Sequence, residues 1–148
     1  MNKLLFFIMP LALGLACISL KAQHHPEPPQ TNNPLSFSSV ISQSLKDPEL
    51  KNYKMISQIL TVTPGGMDTV SHRHTCDLFG YVLEGEIQIG LNKNTPQTFK
   101  TGQMFYEEYK ILHHYLNNPD REKPCRILLL FIIKDGSEGY VPEYKSQK

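Results

Sequence analysis

Tryptophan is absent from the 148 residues, which excludes carbohydrate stacking on an indole face. Cysteine is scarce, at three, too few for a disulfide scaffold. Neither sign of charge is in excess. Fifteen Lys and Arg against 14 Asp and Glu give a formal +1. No run of like charges occurs, so a basic face for nucleic acid is not expected. The nine glycines and eleven prolines follow no period, which excludes collagen-like and low-complexity classes. No repeat of about 20–50 residues is present, so solenoids and propellers are excluded as well. What remains is a chain 40% hydrophobic and 20% charged, long enough for one domain with a packed core.

Residues 1–22 differ from the rest. Lys3 gives a short positive start, residues 4–20 (LLFFIMPLALGLACISL) are almost wholly apolar, and Ala22 is a small residue at the exit. This pattern predicts a signal peptide cleaved after Ala22, and hence a periplasmic or secreted protein. A retained anchor is the alternative, but the run is at the short limit for crossing a bilayer and Pro10 interrupts it. A second alternative is a lipoprotein anchored at Cys17, against which Gly14 occupies the place where a large aliphatic residue is usual. Cleavage would remove Lys3 and Lys21, leaving 13 basic and 14 acidic side chains, Cys76 and Cys125. An oxidising compartment permits a bond between those two cysteines, and two separate thiols are equally compatible with the sequence.

Residues 23–35, with prolines at 26, 28, 29 and 34, read as a flexible leader. Residues 36–148 then form the folded domain, in which residues 38–50 could hold a turn of helix limited by Pro48. From Tyr53 the pattern is that of strands: about eight short ones, each closed by a turn signal, with no convincing long helix. Residues 126–134 (RILLLFIIK) are the longest apolar run and read as a buried closing strand. The fold class is therefore all-β, a sandwich or barrel.

The six histidines carry the functional signal. His24 and His25 fall in the leader. His72 and His74 stand two apart on a strand-like segment, so their side chains share one face and their nitrogens can converge on a cation. His113 and His114 form a second pair, of which only one can share that face, so His114 reads as a surface or packed residue. Tyr106 and Glu107 lie near His113, and strand alternation lets at most one of them reach the same point. Glu107 is the better candidate, as a fourth ligand or a group behind the ligands; an exposed rim carboxylate is the alternative. Cys76 and Asp77 are weaker candidates.

The frame around these residues resembles the cupin family, specifically its small single-domain members. The first cupin motif is Gly, five residues, His-x-His, three or four residues, Glu, six residues, Gly; here Gly66, His72, His74 and Gly85 match. The second is Gly, five residues, Pro-x-Gly, two residues, His, three residues, Asn; here Gly102, His113 and Asn117 match. YVLEGE and GQMFYE also look like cupin phrases, and the likeness covers about residues 53–134. Three places depart from the pattern. Leu78 stands where the motif glutamate belongs, and Glu108 and Lys110 replace the second motif's Pro and Gly, so that turn is expected to be built differently.

The resemblance implies an antiparallel jelly-roll barrel with His72, His74 and His113 as metal ligands. Three neutral imidazoles suit Fe, Mn, Zn, Ni or Cu better than Ca or Mg. It also implies an apolar pocket for a small organic molecule, with Phe79, Tyr81, Phe105, Ile111 and Phe131 as expected walls, and a homodimer. Dioxygenase-like or other metal-assisted chemistry would fit, and a non-catalytic module that binds a small molecule or a metal is the alternative. No nucleic-acid partner is expected, and no membrane span after cleavage. No Ser-His-Asp or Cys-His nucleophile frame is present.

Overall fold

The computed structural model describes residues 33–68 and 70–143. The expected signal segment, Cys17, His24, His25 and most of the expected leader lie outside the described residues. No described helix is long and apolar enough to cross a membrane.

The described chain is built from β1 (Leu35–Ser44), β2 (Tyr53–Val62), β3 (Met67–Asp68), β4 (His72–His74), β5 (Asp77–Glu84), β6 (Glu86–Leu91), β7 (Gln97–Lys100), β8 (Met104–Glu107), β9 (Leu112–Asn117), β10 (Cys125–Lys134) and β11 (Tyr140–Pro142). Every pairing is antiparallel. One sheet runs β1-β2-β10-β5-β8; the other runs β11-β4-β9-β6-β7, with β3 also on β9.

The eight strands expected from the sequence are present with ends that differ by a residue or two. The helical expectation for residues 38–50 is corrected: most of that segment is β1, and only Pro48–Leu50 form a short 3-10 turn capped by the Asp47 carboxylate. Alternation in LSFSSVIS was the missed signal; a bulge between Ser39 and Ile41 breaks its period. β1 also begins at Leu35, within the segment read as leader.

β10 does lie centrally, between β2 and β5. Ile127, Leu129 and Ile133 are buried on its inner face, while Leu128, Leu130 and Ile132 are half-buried on the outer one. The register brings Val62, Cys125, Gly85 and Ile87 to one end of the barrel, which is sealed: Val62, Ile87 and Cys125 are fully buried. Asn118 staples this end. Its Nδ2 donates to the carbonyls of Val62, Thr63 and Lys123, and its Oδ1 accepts from the Asp120 amide. Gly65 turns there at φ 64°, a conformation that side-chain-bearing residues rarely adopt. The inner faces of the two sheets enclose a cavity of about 740 Å³ that runs from Leu35, Leu60 and Ile127 to Ile56, Phe131 and Ile133 at the other end of β2 and β10.

Candidate metal centre

β4 and β9 are paired so that His72 stands directly across from His113. Cross-strand partners project to the same face, and i, i+2 alternation adds His74 to it. The His72 and His113 rings stack at 4.9 Å between centroids, and the His72 and His74 rings meet edge-on at the same distance. One ring nitrogen from each of the three lies within 4.8 Å of the others. Bonds of roughly 2.0–2.1 Å to a central cation would draw them closer by small ring rotations.

The hydrogen bonds fix which nitrogens are free. His72 Nδ1 donates to the Val70 carbonyl at 2.9 Å, and His74 Nδ1 to the Gly139 carbonyl at 3.4 Å. His113 Nδ1 donates to the Glu107 carboxylate at 3.0 Å. Carbonyls and carboxylates only accept, so His72 and His113 carry the proton on Nδ1 and present an Nε2 lone pair; His74 has an acceptor on both sides, and its Nε2 is free for a metal when the cation takes the place of a proton there. His113 Nε2 is buried and has no partner. His74 Nε2 faces Glu107 Oε2 at 3.3 Å, a contact that needs a proton or a metal cation between the two. An orphaned buried nitrogen, a contact with a buried carboxylate and three convergent ring nitrogens make a donor set that fits a divalent transition metal.

Glu107 is 1% exposed. Burial alone would push its carboxyl up, but the contacts with the His113 and His74 rings outweigh this and hold it down to about 2. It enters the site from β8, where it pairs in register with Leu78 of β5. Leu78 is the place of the missing motif glutamate, so a carboxylate reaches the same region from the neighbouring strand. Tyr106, one residue away, points outward and donates to Asp77, whose other acceptance is from the Tyr109 amide. Asp77 therefore organises the loop between β8 and β9 outside the site. Burial lowers the pKa of His72 from its usual 6.5, with smaller opposing help from the Val70 carbonyl.

The turn that lacks the motif's Pro and Gly retains the left-handed residue. Lys110 adopts φ 63° in the glycine place. It is held from both sides, its amide donating to the His74 carbonyl and its carbonyl accepting from Arg73 Nη1, so the strain is anchored on the histidine strand itself. β11, which the sequence did not disclose, covers the other edge of β4. Tyr140 pairs with His74 and lays its ring edge-on against His72 at 5.2 Å. Thr75 hydroxyl donates to the Glu138 carbonyl alongside.

Of the expected pocket walls, Phe105 and Phe131 line the cavity. Phe79 and Tyr81 do not, and this is a correction. On β5 the inward residues are Leu78, Gly80 and Val82, which turns Phe79 and Tyr81 to the outer face. Gly80 is required there because a Cβ would stand 2.0 Å from the Phe105 ring. Ile111 is likewise absent from the lining, being half-buried in the turn before β9. Sequence reasoning missed Gln58, Asp68, Val70 and Tyr140, which do line it. His114 packs against Gly90, away from the site. Cys76 and Cys125 are free buried thiols, and burial pushes both up to about 11.

Two interleaved antiparallel sheets, closed at one end and carrying a histidine cluster at the other, define a double-stranded β-helix with a metal-type site. A cupin-domain family model matches residues 58–131, and the chain belongs to the cupin family. No curated protein matches the sequence. Among solved structures, an uncharacterized double-stranded β-helix protein of Klebsiella pneumoniae is similar at TM-score 0.59 and 16% identity, over 78% of this chain and 89% of that one. The cupin domain of Schizosaccharomyces pombe Cnp3 is similar at 0.53 and 16%, over 68% and 65%. An oxalate oxidase complexed with the substrate analogue glycolate is similar at 0.56 and 19%, over 76% of this chain and 56% of that one.

Proposed function

We propose that the protein is a periplasmic or secreted metal-binding cupin that acts on a small organic molecule at the three-histidine site. The observation that carries this reading is the buried, unpartnered Nε2 of His113 beside the convergent ring nitrogens of His72 and His74. His72, His74 and His113 would hold Fe, Mn, Zn, Ni or Cu. When bound, such an ion supplies Lewis acidity and open coordination places for an oxygen of the substrate or for O₂, which suits dioxygenase-like or other metal-assisted chemistry. Glu107 keeps His113 in the tautomer that presents Nε2 and adds one negative charge beside the ligands. The backbone carbonyls of Val70 and Gly139 orient the other two rings. Location outside the cytoplasm rests on the pattern of residues 1–22; if Cys17 is lipidated, the same domain stands on a membrane surface. Pairing of two copies is part of the same proposal.

Metal analysis of tag-free protein tests the reading. About one equivalent of a transition metal is expected after reconstitution, lost in His74→Ala; below about a tenth of an equivalent the metal site is refuted. A second reading is favoured by Leu78, whose apolar side chain occupies the motif glutamate's place: a module that captures its ligand without turning it over. Ligand recovered unchanged after long incubation with metal-loaded protein would establish that reading, and ligand consumed would exclude it.

A further inference from the structure

We propose that the barrel takes a single-headed amphipathic ligand. One carboxylate, enolate or phenolate oxygen would sit at the histidines, and an apolar body would lie along the inner faces of β2 and β10. This rests on the metal-site reading above and adds the class of ligand to it.

Size is the first observation. The cavity holds about 740 Å³, within the roughly 300–1,000 Å³ range that encloses drug-sized molecules. A two- or three-carbon acid would leave most of that space as water against hydrocarbon.

The distribution of polarity is the second. His72, His74, His113, Glu107 and Asp68 contribute to one part of the lining. Ile56, Leu60, Ile127, Leu129, Phe131 and Ile133 form a continuous strip from β2 and β10, interrupted only by the Gln58 carboxamide. Phe37 of β1 extends the apolar wall to the mouth, where it is 57% exposed.

Charge is the third. Among the described residues no Lys or Arg lines the cavity. Arg73, although it stands between two of the histidines, is turned outward and bound to Glu143 and the Lys110 carbonyl. A divalent cation beside the buried Glu107 carboxylate leaves one net positive charge, which a single anionic head balances; Asp68, whose carboxylate accepts from the Val70 amide at an exposed position, adds negative charge that disfavours a second anion. A second carboxylate would be buried against the aliphatic strip without a counter-charge, which is strongly unfavourable.

Calorimetric titration of the Zn(II)-loaded full chain with butanoate, octanoate, decanoate and octanedioate tests this. Each buried methylene is worth up to about a fourfold gain in affinity, so decanoate is expected to bind at least about thirtyfold tighter than butanoate, and octanedioate at least about tenfold weaker than octanoate. The exposed Phe37→Ser is expected to weaken decanoate about fivefold and leave butanoate within about twofold, whereas Phe131→Ala, whose ring lies 6.0 Å from that of His74, is expected to weaken both. Phe79→Ser, on the outer face, is expected to change neither.

A flat response to chain length, octanedioate binding as tightly as octanoate, or Phe79→Ser acting like Phe37→Ser would each overturn the proposal. The two readings fail separately. A protein that loads zinc but shows no gradient loses only the ligand class. One that shows the gradient without loading zinc loses the metal site and keeps the apolar body.

Discussion

The two ends of the barrel are made from the same strands and behave oppositely. At the sealed end Val62, Val82, Ile87 and Cys125 are fully buried, and the one polar side chain among them, Asn118, has its donors and acceptor engaged. At the open end the polar groups are deliberately short of partners, and apolar side chains line a space rather than fill it. The difference teaches that stability and function are separated along the strand axis: satisfied groups at one end hold the frame in which unsatisfied groups at the other can bind.

Substitutions can break that contrast. The largest effect is expected for Ile87→Ala, which opens a void at the sealed end and should destabilise by about 2–5 kcal/mol in denaturant titration. Leu129→Ala removes a similar side chain, 6% exposed, from the cavity wall. The space it vacates joins an existing cavity, so its cost is expected near the bottom of the same range, about 2 kcal/mol. Equal losses at the two positions would show that the open end is packed as tightly as the other. Asn118→Ala, which strands three carbonyls, is expected to lose about 1–3 kcal/mol.

At the open end the readout changes from stability to metal. Glu107→Leu is expected to lower metal affinity about 10–100-fold, measured by competition with a chromophoric chelator, because His113 loses the acceptor that fixes its tautomer. The smallest effect concerns pH. Burial lowers the pKa of His72, so between that value and 6.5 the unfolded chain binds more protons than the folded one. Stability of metal-free protein is therefore expected to fall as pH drops below 6.5, and His72→Phe to flatten that slope. An unchanged slope would mean that His72 is not held neutral by its surroundings.

Much of this was legible in the sequence because side-chain alternation is local. The strand pattern from Tyr53 onward, the shared face of His72 and His74, and the opposed directions of Tyr106 and Glu107 all follow from period two. The errors came where alternation alone does not say which face is inside. Phe79 and Tyr81 were assigned to the pocket because they are large and apolar, whereas Leu78, Gly80 and Val82 hold the inner face. The role of Gly80, leaving room for the Phe105 ring, depends on the β5–β8 register, which no linear pattern states. β1 was hidden by its bulge, and β11 was too short to signal itself. The left-handed turn at Lys110 was unreadable for a different reason: lysine is a poor predictor of positive φ, and here the backbone bonds to His74 and Arg73 impose it.

The register of Leu78 with Glu107 has a wider consequence. In a pleated sheet an acid on the adjoining strand can arrive beside the place that another strand leaves apolar, so the charges around a site need not follow the order of a linear pattern. Here the residue that faces Leu78 across the ladder is the one that supplies the negative charge.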